Sequence, residues 1–205
     1  MRNPWHNLDI HVAQRFLEQS FQGFDDGEIF MEHSTFQSLS LENGVVKSAR
    51  SYEQHGFGLR LVACDRMAYA YHTHPSMENL KDAYGHIRSI KDGYEGVLDL
   101  DPPSSHHQLY SHQKEWSDLQ DQIHLLREIE SYAKEKDPRV SLVVGSLDQS
   151  YRMIDIIRPG QAISDDRPLF SIRISVMMSQ NNRQEMGVSG GGGRLSLKEW
   201  LNTSC

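Results

Sequence analysis

The 205-residue chain has room for one domain, or for two small α+β lobes sharing a core. Its formal charge of -7 and pI near 5.8, with Lys and Arg scattered rather than clustered, exclude a general nucleic-acid surface. No stretch approaches the roughly 20 apolar residues that span a bilayer. The start, MRNPWHNLDI, has no signal-peptide core, and Cys64 and Cys205 lack CxxC spacing, so a reducing cytoplasm is the expected compartment.

From Asn7 to Gln22, Leu8, Val12 and Phe16 recur at i, i+4 and i+8, which predicts an amphipathic helix. The period then changes. "STFQSLSLENGVVKSARSY" alternates polar and apolar residues around Asn43-Gly44, a pair that tolerates positive φ and predicts a two-residue hairpin turn. Phe57, Leu59 and Leu61 alternate next, "CDRM" turns the chain, and Met67, Tyr69 and Tyr71 alternate back against Ala68 and Ala70. Pro75-Ser76 stops this meander and starts a helix carrying Met77, Leu80, Tyr84 and Ile87.

The composition turns to loop over about 92–114, read as a linker. A second cycle follows. Leu119, Ile123, Leu126 and Ile129 predict a helix closed by Asp137-Pro138, and strands are expected at "RVSLVVGSL", "YRMIDII" and "PLFSIRISVMMSQ". A turn at Asn181-Asn182 returns a strand to Ser189. The expected fold is therefore α+β, two helix-plus-antiparallel-meander units forming one domain over 1–189, with a sheet for each meander. Leu39, Leu59, Leu61, Leu126, Ile129, Val144 and Ile172 are expected in the core.

Residues able to do chemistry are sparse. His72 and His74 lie two apart at a strand end, and His106, His107 and His112 lie in the linker, none with ligand spacing to a Cys or carboxylate. They read as solvated histidines, and no metal site is expected. Cys64 falls in a turn, Cys205 is terminal, and no Gly-x-Ser-x-Gly elbow exists. Asp25-Asp26 and Asp165-Asp166 adjoin turns, where aspartate serves the backbone.

The local feature that stands out is "SGGGGRLSLKE". Its glycines precede a helix with a capping box at Ser196-x-x-Glu199, an arrangement that can attract anions. A nucleotide loop would need Gly-Lys-Ser/Thr after a parallel strand, whereas Arg194 follows an antiparallel hairpin here. The favoured reading is that Gly190, Gly191, Gly192 and Gly193 let one backbone pass close to another.

Three stretches carry a family resemblance: "LENGVVKSARSYEQHGFGLRLVACDRMAYAY", "RVSLVVGSLDQSYRMIDI" and "DDRPLFSIRISVMMSQNNRQEMGVSGGGGR". Over about residues 25 to 200 the chain resembles the N-terminal domain of the TldD/PmbA family, on the TldD side. That resemblance implies a cytoplasmic zinc metallopeptidase acting on small unfolded peptides, a TldD-like subunit paired with a PmbA/TldE-like subunit or forming a homo-oligomer. It implies neither nucleic-acid nor membrane binding, although the family also carries the label of a modulator of DNA gyrase.

The family's metal site is a His-Glu-x-x-x-His helix in the C-terminal half, and no residue of this sequence matches it. Catalytic and metal-ligating residues are thus expected to be absent. Residues 190–205 are expected to be the glycine-rich join to a catalytic region beyond Cys205, with Gly190 to Gly193, Arg194 and Trp200 at a domain join or subunit interface. The alternative is a stand-alone peptide- or subunit-binding module, which could add an extended strand to an exposed sheet edge.

Overall fold

The computed structural model describes Trp5 and residues 8–98 and 117–203. Most of the linker, with His106, His107 and His112, and the terminal Cys205 lie outside the described residues. The described elements run α1 (Ile10–Ser20), β1 (Asp26–Glu42), β2 (Val45–Ala63), β3 (Arg66–His72), α2 (Met77–Ile87), α3 (Leu119–Lys136), β4 (Val140–Arg158), β5 (Gln161–Gln180), β6 (Arg183–Gly193) and α4 (Leu197–Thr203). A single 3-10 turn, Arg88–Lys91, follows α2.

The caps explain where helices begin. Asp9 accepts the N–H groups of His11 and Val12, Ser76 accepts that of Asn79, and Asp118 accepts that of Gln120. The hairpin turns use the residues that tolerate positive φ: Asn43 (47°) with Gly44 (74°), and Asn181 (50°) with Asn182 (63°). Both match the sequence expectation.

The fold is α+β with one antiparallel sheet rather than two, in the order β3-β2-β1-β4-β5-β6. The first strand of each meander supplies the seam: Asn43 N–H donates to the Val143 carbonyl at 3.0 Å, and Asn43 Oδ1 accepts the Val143 N–H at 3.2 Å. The two strands expected over 140–157 are one 19-residue β4. Its apparent break at Asp148-Gln149-Ser150 does not end the strand, because the buried Gln149 amide donates to Ser117 Oγ at 2.8 Å.

The chain divides into two compact units, each drawn from three separate stretches. Residues 1–34, 54–109 and 152–166 build the first. Its core gathers Trp5, Leu17, Phe21, Phe24 and Leu80 from α1, α2 and their flanks with Ile29, Met31, Leu59, Leu61 and Ile157 from the strands. Ala68 and Ala70 face this core, while Met67, Tyr69 and Tyr71 turn outward on β3. The small residues take the helix-covered face because α2 leaves them no depth there.

Residues 35–53, 110–151 and 167–205 build the second unit, around Leu39, Leu41, Leu126, Leu147, Phe170, Ile172 and Leu197. Ile129 packs against it half-buried. The expected Val144 does not enter the core: alternation in β4 buries Val143 and Leu147 instead, one residue out of step with the sequence reading.

Candidate functional site

The glycine run lies within the sheet. Antiparallel pairing sets Gly190 opposite Arg173, Gly191 opposite Ile172, Gly192 opposite Ser171 and Gly193 opposite Phe170. Directly opposed residues share a face, so Gly191 looks toward the helical side with buried Ile172. Gly190 and Gly192 look toward the open side with Arg173 and Ser171.

Gly190, Gly191 and Gly192 lack room for a side chain, whereas a Cβ on Gly193 would meet nothing within 4 Å. A Cβ on Gly190 would stand 2.5 Å from the Ile172 carbonyl oxygen, and one on Gly191 would stand 2.6 Å from Trp200 Cζ2. On the helical side, Trp200 therefore lies across β6 and packs edge-on against Phe170, with ring centroids 5.4 Å apart. The helix carrying it is held by the expected capping box: Ser196 Oγ accepts the Glu199 N–H at 3.2 Å, and Glu199 accepts the Ser196 N–H at 2.9 Å. That backbone hydrogen bond, joined by one from the Ser196 hydroxyl, lowers the Glu199 pKa. Arg194 donates to the Pro168 carbonyl at 3.4 Å, just beyond the last β5–β6 pair.

On the open side the missing side chains leave a groove of about 600 Å³, lined by Ser146, Asp148, Ser171, Arg173, Val188 and Gly190. Sequence reading found the glycines, Arg194 and Trp200, and the structure brings them together at this end of the sheet. It missed Asp148, Arg173 and the serines. Their alternation with buried Leu147 and Ile172 was the available signal, but it reads equally as a plain solvated face. Neither Asp148 nor Arg173 has an ion-pair or hydrogen-bond partner among the described residues.

The contrast with the first unit is informative. There several outward charges on the strands are paired: Arg60 reaches Asp26 at 2.6 Å and Glu28 at 3.1 Å, Arg158 reaches the same two carboxylates, and Arg152 meets Glu32 at 2.7 Å. Burial of the Arg60 guanidinium opposes its charge, yet hydrogen bonding to Asp26 and the attraction of both carboxylates hold its pKa above the ordinary value.

The first unit also holds four histidine rings in succession. His33 and His55 are 6.3 Å apart, His55 and His74 6.1 Å, and His74 and His72 5.9 Å, centroid to centroid. A catalytic zinc needs three protein donors converging on one point. Among the described residues no group of three or more His, Cys, Asp or Glu does so. His72 Nδ1 accepts the His74 backbone N–H at 3.0 Å, which leaves the neutral ring's proton on Nε2, with no lone pair there for a metal. The described residues do not fit a catalytic zinc.

Two stretches match known domains: residues 27–85 the PmbA/TldA metallopeptidase domain 1, and residues 117–202 the PmbA/TldA metallopeptidase central domain. The chain is 27% identical over 204 residues to the metalloprotease TldD homolog of Haemophilus influenzae, covering 95% of this chain and 42% of that protein. It is also 27% identical over 182 residues to the TldD homolog of Buchnera aphidicola from Schizaphis graminum, covering 86% and 38%. Among solved structures, a Bacteroides thetaiotaomicron protein labelled a candidate modulator of DNA gyrase superposes with a TM-score of 0.65 at 13% identity, over 90% of this chain and 44% of that one. TldE from Thermococcus kodakarensis gives 0.57 at 15%, over 90% and 43%. These likenesses show a shared fold, and this chain spans about 42% of the first curated relative's length.

Proposed function

The chain belongs to the PmbA/TldA metallopeptidase family, and from that premise we propose that it is the N-terminal, non-catalytic portion of a TldD-like zinc metalloprotease acting on small unfolded peptides. The observation that carries this reading is which parts of the family it matches: domain 1 and the central domain. In this reading zinc is bound elsewhere in the working enzyme, and the residues described here shape, present or hold what that centre cuts. The cytoplasm is the proposed compartment; none of the described helices is long and apolar enough to cross a membrane.

The test is direct. Purified chain, dialysed and assayed by elemental analysis, is expected to hold far less than one zinc per molecule and to show no chelator-sensitive cleavage of an unfolded peptide. Stoichiometric zinc accompanied by such cleavage would overturn the assignment.

A second reading, a peptide- or subunit-binding module, is favoured by β6, which has no strand neighbour on its far side among the described strands. The proposed subunit partner is PmbA/TldE-like or a second TldD-like chain, with Gly190 to Gly193, Arg194 and Trp200 at the join. Because Trp200 already packs on Phe170, the indole would shape that interface from behind the strand. Hydrogen exchange over 190–201, with and without a PmbA-like subunit, checks it: added protection is expected, and an unchanged pattern removes these residues from the interface.

A further inference from the structure

Edge strands of natural proteins are normally blunted by charge, proline, a bulge or short length. Here β6 is eleven residues long, and everything after Glu185, from Met186 to Gly193, has neither a charged residue nor a proline. Met186 and Val188 are 71% and 61% exposed. None of the described strands pairs with this edge, and beside it sits the groove with its Arg173, unpartnered among the described residues. We propose that an extended peptide adds to the free edge of β6 and that an acidic side chain opposite Gly190 crosses the bare glycine to pair with Arg173. This rests on the reading of the chain as the part of a metallopeptidase that handles unfolded peptides.

The geometry sets the preference. Strands in a sheet lie about 4.8 Å apart, so an added strand runs about 10 Å from β5. That gap lies within the combined reach of a glutamate and an arginine. Any side chain at position 190 would stand between them, and the Gly190 pairing with Arg173 removes it. Main-chain bonding to β6 gives affinity without regard to sequence, whereas the charge reached across the glycine gives selectivity. On the open face Ser171 of β5 and Ser146 of β4 keep the wall beyond Gly190 polar, while Val188 lies two residues along β6 on the same face.

The experiment uses the full chain and fluorescein-labelled nine-residue peptides of alternating Ser and Thr, with Glu, Gln or Lys at the centre, followed by fluorescence polarisation. The Glu peptide is expected to bind about fivefold more tightly than the Gln peptide, with Lys weakest. Arg173→Glu is expected to invert the order, and Arg173→Gln to erase it while leaving binding. Methylating alternate peptide amides should abolish binding, and bound peptide should slow hydrogen exchange over 183–193. Binding that ignores both Arg173 variants and the amide methylation overturns this site while leaving the peptide-handling reading in place. No binding by any peptide overturns both. Concentration-dependent dimers that protect the same strand assign the edge to a second copy and overturn the peptide proposal.

Discussion

Gly191 and Gly187 lie four residues apart on β6 and carry opposite expectations. A Cβ at Gly187 meets nothing within 4 Å, whereas one at Gly191 meets the Trp200 ring. Gly187→Ala should leave the melting temperature unchanged or slightly raised. Gly191→Ala should lower it and release α4, read as faster exchange over 197–203.

Asp137 offers a test in pH. Hydrogen bonds from the Arg139 side chain, and then from its backbone N–H, lower its pKa to about 2. A carboxylate depressed in the folded state stabilises above its unfolded value, about 3.9, and loses that contribution as pH falls through the folded value. The Asp137 carboxyl resonance should titrate near pH 2, and Arg139→Ala should bring its midpoint back toward 3.9.

At the scale of elements, α4 depends on its first turn, since a seven-residue helix is marginal alone. Ser196→Ala removes the oxygen that accepts the Glu199 N–H and should cost about 1 kcal/mol, visible by denaturant titration. This cap was legible as Ser-x-x-Glu, as were both asparagine turns and the starts of α2 and α3, because each is decided within a few residues. What was not legible needed partners distant in the chain. The continuity of β4 depends on Gln149 meeting Ser117, 32 residues away. The entry of Val143 rather than Val144 depends on which face α3 covers. Pro168 reads as a strand boundary, but β5 begins at Gln161: the last pair to β6 is Phe170 with Gly193, so no donor at 168 is demanded from that side. The groove was hidden for a related reason, since unpartnered Arg173 looks like any outward arginine until its neighbours are placed.

At the scale of the molecule the described residues form two separate hydrophobic clusters, and each should answer to its own deletion. Leu61→Ala and Leu147→Ala both remove fully buried side chains and should each cost about 2–5 kcal/mol. Hydrogen exchange should show the loss concentrated in the unit that carries the change. In the first unit, Asp155→Ala takes away the acceptor of Trp5 Nε1 and should cost about 1.5–3 kcal/mol by the same denaturant measurement.

The interleaving of the two units has a consequence for the order in which the chain can fold during synthesis. Trp5 and Asp155 are separated by 150 residues, and Ile157 completes the core that α1 and α2 begin. A nascent chain that has emerged only as far as residue 150 carries both described α-helices of the first unit but not the strand residues that close it. Contact order is high, and loop closure must be met before most of the apolar burial rewards it. Ribosome-stalled chains ending near residue 150 should remain protease-sensitive along their whole length, with protection arriving late and over both units within a short further stretch of translation.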